Sequence, residues 1–173
     1  LELMENGTAD AEPLLTAYLQ QRPSPEVRMA YARLLLEQQR YPEARSQLKA
    51  VTTEKPDLPQ AWLAQAALQV QDQQYEAAEA SLGELLRLAK SSPDNETLRA
   101  SLTQAYLLHA QIAEKRGDYA AAEQWLQRIE DGKELFSAQT RRASLLARQG
   151  KLKEARALLQ SLPAETDEAR RMN

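Results

Sequence analysis

The chain repeats itself, and that repeat limits its fold more than any other feature. Tyr41, Tyr75 and Tyr119 serve as markers, with Leu152 and Thr8 as weaker ones. Three residues after each marker comes alanine: Ala11, Ala44, Ala78, Ala122 and Ala155. Seven after comes leucine: Leu15, Leu48, Leu82, Leu126 and Leu159. Ten after comes a large apolar residue: Tyr18, Val51, Leu85, Ile129 and Leu162. Nine before the last four markers comes alanine again, at Ala32, Ala66, Ala110 and Ala143. The spacings between markers are 33, 34, 44 and 33. Periods of this size belong to stacked supersecondary units, each too small to bury its own apolar face.

Offsets of three, seven and ten fall on one helical face. Each unit therefore reads as two helices joined by a tight turn, for example Gln73-Gln74-Tyr75 or Arg116-Gly117-Asp118-Tyr119. Gly117 and Gly150 suit a helix C-terminus that needs a positive φ. Ser24-Pro25-Glu26 and Ser92-Pro93-Asp94 read as an N-cap followed by proline at the first helical position. All eight prolines are expected at joints or in first turns. The pattern predicts helices over 9–21, 25–38, 42–54, 59–72, 76–90, 94–116, 119–131, 135–149 and 152–161. Residues 1–5 and 165–173 read as parts of two more helices, so the natural protein is expected to continue in both directions. No strand alternation of useful length occurs, and no sheet is expected.

Trp62, Ala66, Tyr75 and Ala78 in one unit, and Ala32, Tyr41, Ala44 and Pro56 in the one before, resemble the tetratricopeptide repeat family. That resemblance implies an all-α, right-handed superhelical solenoid. The expected array spans 1–173: a partial unit at 1–24, units near 25–58, 59–93, 94–134 and 135–164, and the start of a further helix at 165–173. Gln69, Gln139 and Arg142 depart from the pattern where apolar residues are usual. The interval of 44 between Tyr75 and Tyr119 is read as two lengthened helices, 76–90 and 94–116, projecting beyond the array.

Composition removes most chemistry. The chain has no cysteine and one histidine, His109, which reads as a packing residue. The five glycines are too scattered for a phosphate loop. Trp62 and Trp125 read as packing residues, and the many carboxylates as solvated or paired along helices. No catalytic, cofactor-binding or metal-binding residue is therefore assigned, and the chain is not expected to be an enzyme. Net charge is −3, distributed as −6 over residues 1–86 and +3 over 87–173, which argues against a nucleic-acid role. Apolar runs of about four residues fall far short of the ~18 that span a bilayer. The bacterial style of the repeats leaves cytoplasm and periplasm or cell envelope both open.

What remains is protein binding. The resemblance implies a scaffold whose first helices line a concave groove that takes a partner peptide or helix. Offsets −12, −8 and −5 then supply the groove: Met29, Arg33, Leu36; Leu63, Ala67, Val70; Leu107, Gln111, Glu114; Thr140, Ser144, Ala147. Arg141 and Arg148 flank the last set, with Arg142, Arg170 and Arg171 nearby, as a solvated helix surface that pairs with acids in the full protein or as a basic patch for acidic peptide segments. The expected partner places apolar anchors on the first two units and acidic residues on the fourth, so Val70→Glu should weaken binding without unfolding the chain. A second copy, or other parts of a longer protein, could instead cover Leu63 and Val70. The alternative role is a regulatory or substrate-recruiting arm of a larger enzyme or envelope assembly.

Overall fold

A computed structural model describes residues 2–130 and 132–162, with side chains described from Ala11 onward. Among these residues there are nine helices and no strand: α1 Glu2–Gln21, α2 Pro25–Glu37, α3 Tyr41–Glu54, α4 Pro59–Gln71, α5 Tyr75–Ser91, α6 Glu96–Lys115, α7 Tyr119–Gln127, α8 Leu135–Arg148 and α9 Leu152–Ser161. The protein is an all-α helical repeat solenoid. The markers Tyr41, Tyr75, Tyr119 and Leu152 are each the first residue of a helix. Thr8 is not; it lies within α1. The expected helix at 165–173, and Arg170 and Arg171 with it, lie outside the described residues.

Every interior position of the template is buried. Ala32, Ala66 and Ala110 are 0% exposed, as are Ala44, Ala78 and Ala122, and Leu48, Leu82 and Leu126. Alanine at these points lets two helix backbones approach, while each leucine fills the adjoining space. Full burial of one such leucine contributes about 1.5–3 kcal/mol.

The turn before each marker recurs with one geometry. Gln39, Gln73, Gly117 and Gly150 all take positive φ, between 59° and 80°. In each, two backbone N–H groups reach back to the carbonyls of the helix end: Arg40 to Leu35 and Gln39 to Leu36 in the first, Lys151 to Leu146 and Gly150 to Ala147 in the last. This is the paired closure that satisfies orphaned carbonyls at a helix C-terminus. Two of the four turns force glutamine into a region that glycine occupies more readily.

The interval of 44 is absorbed wholly by helix. α5 has 17 residues against 14 in α3, and α6 has 20 against 13 in α4, which together account for the ten extra residues. The loops on either side keep their lengths.

Three expectations are corrected. Residues 2–5 do not belong to a separate helix; α1 is continuous from Glu2, and Pro13 sits inside it rather than at a joint. An interior proline costs one backbone bond and a ring clash. The lost contact is offset where Ala11, Leu15 and Leu19 pack on the α2–α4 core and the Glu12 carboxylate is held by Arg40 and Tyr31. At α6 the cap is Asn95, whose Oδ1 accepts from Leu98 N at 2.8 Å, and Ser92 instead donates to Leu88 O at the end of α5. α7 ends at Gln127, not 131: Arg128 and Ile129 turn back through three-residue bonds, and Gly132 follows with φ 82°. By contrast Ser24 does cap α2, accepting from Val27 N at 3.3 Å.

The chain divides into two compact units, Leu1–Leu102 and Thr103–Asn173. In the first, Leu34, Leu35, Ala44, Leu48 and Leu68 form a core that joins α2, α3 and α4. In the second, Ala110, Ala113, Ala122, Leu126, Ala138 and Leu145 join α6, α7 and α8. His109 is 9% exposed and stacks on Trp125 with centroids 3.9 Å apart, in keeping with a packing role. Arg128 covers the Trp125 ring at 4.2 Å.

Candidate partner-binding surface

In the first unit, α2 and α4 present Arg33 and Ala67 to solvent. Arg33 Nη2 donates to Gln60 Oε1 at 3.2 Å, linking the two helices through exposed side chains. Met29, Leu36 and Leu63 are half-buried, and Met29 and Leu36 also pack against the core. Each thus offers one edge to the surface while anchoring its helix.

Val70 does not belong to this surface. It is 6% exposed and part of the core. Offset −5 lies four residues beyond the buried alanine at −9, so Val70 sits one turn above Ala66 on the same face. Val70→Glu would bury a charge, and it tests folding rather than binding.

In the second unit Gln111, Ser144 and Arg148 are exposed, and Leu107 is half-buried against the core. The arginines are not an open basic patch. Arg141 Nε donates to Glu114 Oε1 at 2.6 Å, so α8 is tied to α6. Arg142, whose side chain is 15% exposed, donates through Nε and Nη2 to Glu123 of α7. Arg148 lies over the Tyr119 ring at 5.5 Å and keeps its charge at the surface. Of the three described arginines, Arg148 is thus the one whose partner is neutral.

The departures from the apolar pattern also find partners. Gln69 accepts from Ser81 Oγ at 2.7 Å, and Gln139 accepts from Arg142 Nη1 at 2.8 Å. Gln60 was not legible as a surface residue, since its role depends on where Arg33 arrives from another helix. Glu114 was legible by offset alone, though not as the partner of Arg141. Among the described residues no group of three or more His, Cys, Asp or Glu could hold a metal ion. No described helix is long and apolar enough to cross a membrane.

Two family models described as tetratricopeptide repeat match the sequence, one over residues 3–68 and one over 103–128 and 137–161, together more than half of it. The chain belongs to the tetratricopeptide repeat family. TPR repeats generally mediate protein–protein interaction. Among solved structures, a tetratricopeptide repeat protein from Parabacteroides merdae is 21% identical with a TM-score of 0.67, covering 92% of this chain and 59% of its own. The chain therefore spans less than two thirds of that TPR protein. Pseudomonas aeruginosa pilF is 16% identical at TM-score 0.70, over 90% of this chain and 68% of its own. YrrB, a TPR protein with an unusual peptide-binding site, is 18% identical at TM-score 0.64, over 88% and 77%. At these identities the likeness is one of fold. No curated protein matches the sequence.

Proposed function

We propose that the protein is a non-catalytic scaffold that binds a partner peptide or helix in a concave groove, on the solvent-facing side of its first helices. The Arg33–Gln60 contact carries the reading, because it joins α2 and α4 into one surface bordered by the half-buried Met29 and Leu63. A segment lying there meets apolar edges flanked by a guanidinium that is already oriented. YrrB, which has the same fold and a peptide-binding site, supports this mode of use. In the second unit Gln111, Ser144 and Arg148 offer polar contacts, with Arg148 able to orient an acidic residue. Apolar edges supply most of the affinity, and the exposed charge steers.

A photo-crosslinker placed at Ala67 should capture the partner. Calorimetry with that partner then tests the surface. Ala67→Glu and Arg33→Glu should each weaken binding by about tenfold or more, while Lys49→Glu at an exposed position of α3 should change it less than about twofold. Unchanged affinity in Ala67→Glu would rule the surface out.

A further inference from the structure

The turns before Tyr41 and before Leu152 hold the same place in the repeat, yet they hold their cations differently. Arg40, the residue before Tyr41, lies between the carboxylates of Glu12 and Glu43. Lys151, the residue before Leu152, stands exposed, as does Lys153 two residues on. Glu154 matches Glu43 in position, but neither lysine has an ion-pair partner among the described residues.

Two more cations belong to the same edge of the second unit. Arg148 ends α8 and lies over the Tyr119 ring at 5.5 Å, so the α8–α9 turn sits against the start of α7. Lys115 ends α6, four residues before Tyr119; it is exposed and has no described ion-pair partner.

The acids of these turns are fewer and mostly engaged. Asp118 caps α7, accepting from Ala121 N at 3.1 Å, and Glu114 is held by Arg141. Arg116, between Lys115 and Asp118, is engaged as well. Among the described residues of the two turns, Glu154 is the open carboxylate facing four open cations. Helix dipoles account for only half of these. Lys115 and Arg148 stand in last turns, where a cation is favoured, but Lys151 and Lys153 stand at the start of α9, where it is not.

We infer that this edge, formed by the α6–α7 and α8–α9 turns, docks an acidic segment of a protein partner. The inference rests on the scaffold reading above and gives that partner an additional contact. A short acidic segment needs only the two neighbouring turns. A nucleic-acid duplex or an anionic bilayer extends well past them and is repelled by a chain whose net charge is −3. Open charges steer the encounter and are screened by salt.

Fluorescence anisotropy of a labelled peptide of alternating glutamate and serine, added to the 173-residue chain, tests this. The peptide should bind at least about tenfold more tightly than its lysine–serine counterpart. Raising the salt from about 50 to about 300 mM should weaken it about fivefold or more. Lys151→Glu/Lys153→Glu should weaken it about tenfold or more, and Arg148→Glu about threefold or more. Arg22→Glu/Lys49→Glu reverses two exposed cations of the first unit, an equal change in net charge, and should alter affinity less than about twofold. Circular dichroism and melting verify that the variants fold. Ala67→Glu should also leave peptide binding within about twofold, which separates this inference from the groove reading. A partner indifferent to Ala67→Glu removes the groove alone, whereas a peptide indifferent to Lys151→Glu/Lys153→Glu removes this edge alone. Three other results would each overturn the inference: no peptide binding at low salt, equal weakening by Arg22→Glu/Lys49→Glu, or duplex DNA or phosphatidylserine vesicles binding as tightly as the peptide.

Discussion

In the first unit, neutral side chains run between the helices that α4 joins. Thr52 of α3 donates to Gln65 of α4 at 3.0 Å, Gln65 donates to Ser81 of α5 at 3.1 Å, and Ser81 donates to Gln69 at 2.7 Å. Thr52 and Ser81 are 6% and 2% exposed. The first unit adds ionised pairs to this neutral chain, among them Arg28 with Glu54 and Arg40 with Glu12, whereas in the second unit ionised pairs, Arg142 with Glu123 and Arg141 with Glu114, stand in its place. Both units use the same alanine and leucine frame. The difference shows that the apolar frame sets which helices stack, while partnered polar groups fix how they sit. A polar residue at a template position is tolerated when a neighbouring helix brings its complement, since burying it alone would cost free energy.

The frame itself should give the largest effect. Leu82→Ala should cost about 2–5 kcal/mol by chemical denaturation, and Leu159→Ala less than about 1 kcal/mol, because only the first opens a cavity. Equal losses would show that Leu159 is packed as fully as Leu82.

The polar pairs come next. Glu123→Ala leaves the Arg142 guanidinium part-buried without its carboxylate and should cost about 1–3 kcal/mol. Ser81→Ala removes the shared hydroxyl between Gln65 and Gln69 and should cost about 1–2 kcal/mol. Hydrogen exchange should place the first loss in α6–α8 and the second in α3–α5, since local opening reports local stability. Loss of protection in both regions from either change would remove the contrast.

The turns separate the units more finely. Gln73→Gly should stabilise the chain by about 0.5–1 kcal/mol, because glycine takes φ 61° without strain. Gly117→Ala should destabilise it by about 1 kcal/mol, although no atom lies within 4 Å of the added Cβ. A melting shift of the same sign for both would contradict the shared turn geometry.

The smallest effect concerns acid. The Arg40 guanidinium, and then the Tyr31 hydroxyl, hold the Glu12 carboxyl below its ordinary value. Burial, and then the Glu12 contact, push the Tyr31 hydroxyl up. A carboxyl lowered in the folded state adds stability above its unfolded value and loses it as pH falls through the folded one. Exchange of α1 amides should therefore accelerate, relative to α7, as pH drops below the ordinary carboxylate range. Glu12→Gln should abolish that acid-dependent difference.

The sequence alone determined the helices, the turns and the buried stripe. Alanine, leucine and marker tyrosine recur at helical spacing, and local periodicity needs no knowledge of neighbours. It even located the lengthened pair, because α5 and α6 carry the ten extra residues as helix. It went wrong where the answer depends on other elements. Val70 looked like a surface anchor until its place above Ala66 put it in the core. Arg141 read as either a basic patch or one half of an unidentified acid pair until α6 brought Glu114 to it. Pro13 looked like a boundary, yet α1 continues through it while Ala11, Leu15 and Glu12 dock on α2–α4 and Arg40. A helix face is written in three- and four-residue steps along one segment. Whether that face is covered, paired or free is decided by residues 19 to 28 positions away, as the Arg142–Glu123 and Arg40–Glu12 pairs show, and only folding brings them within reach.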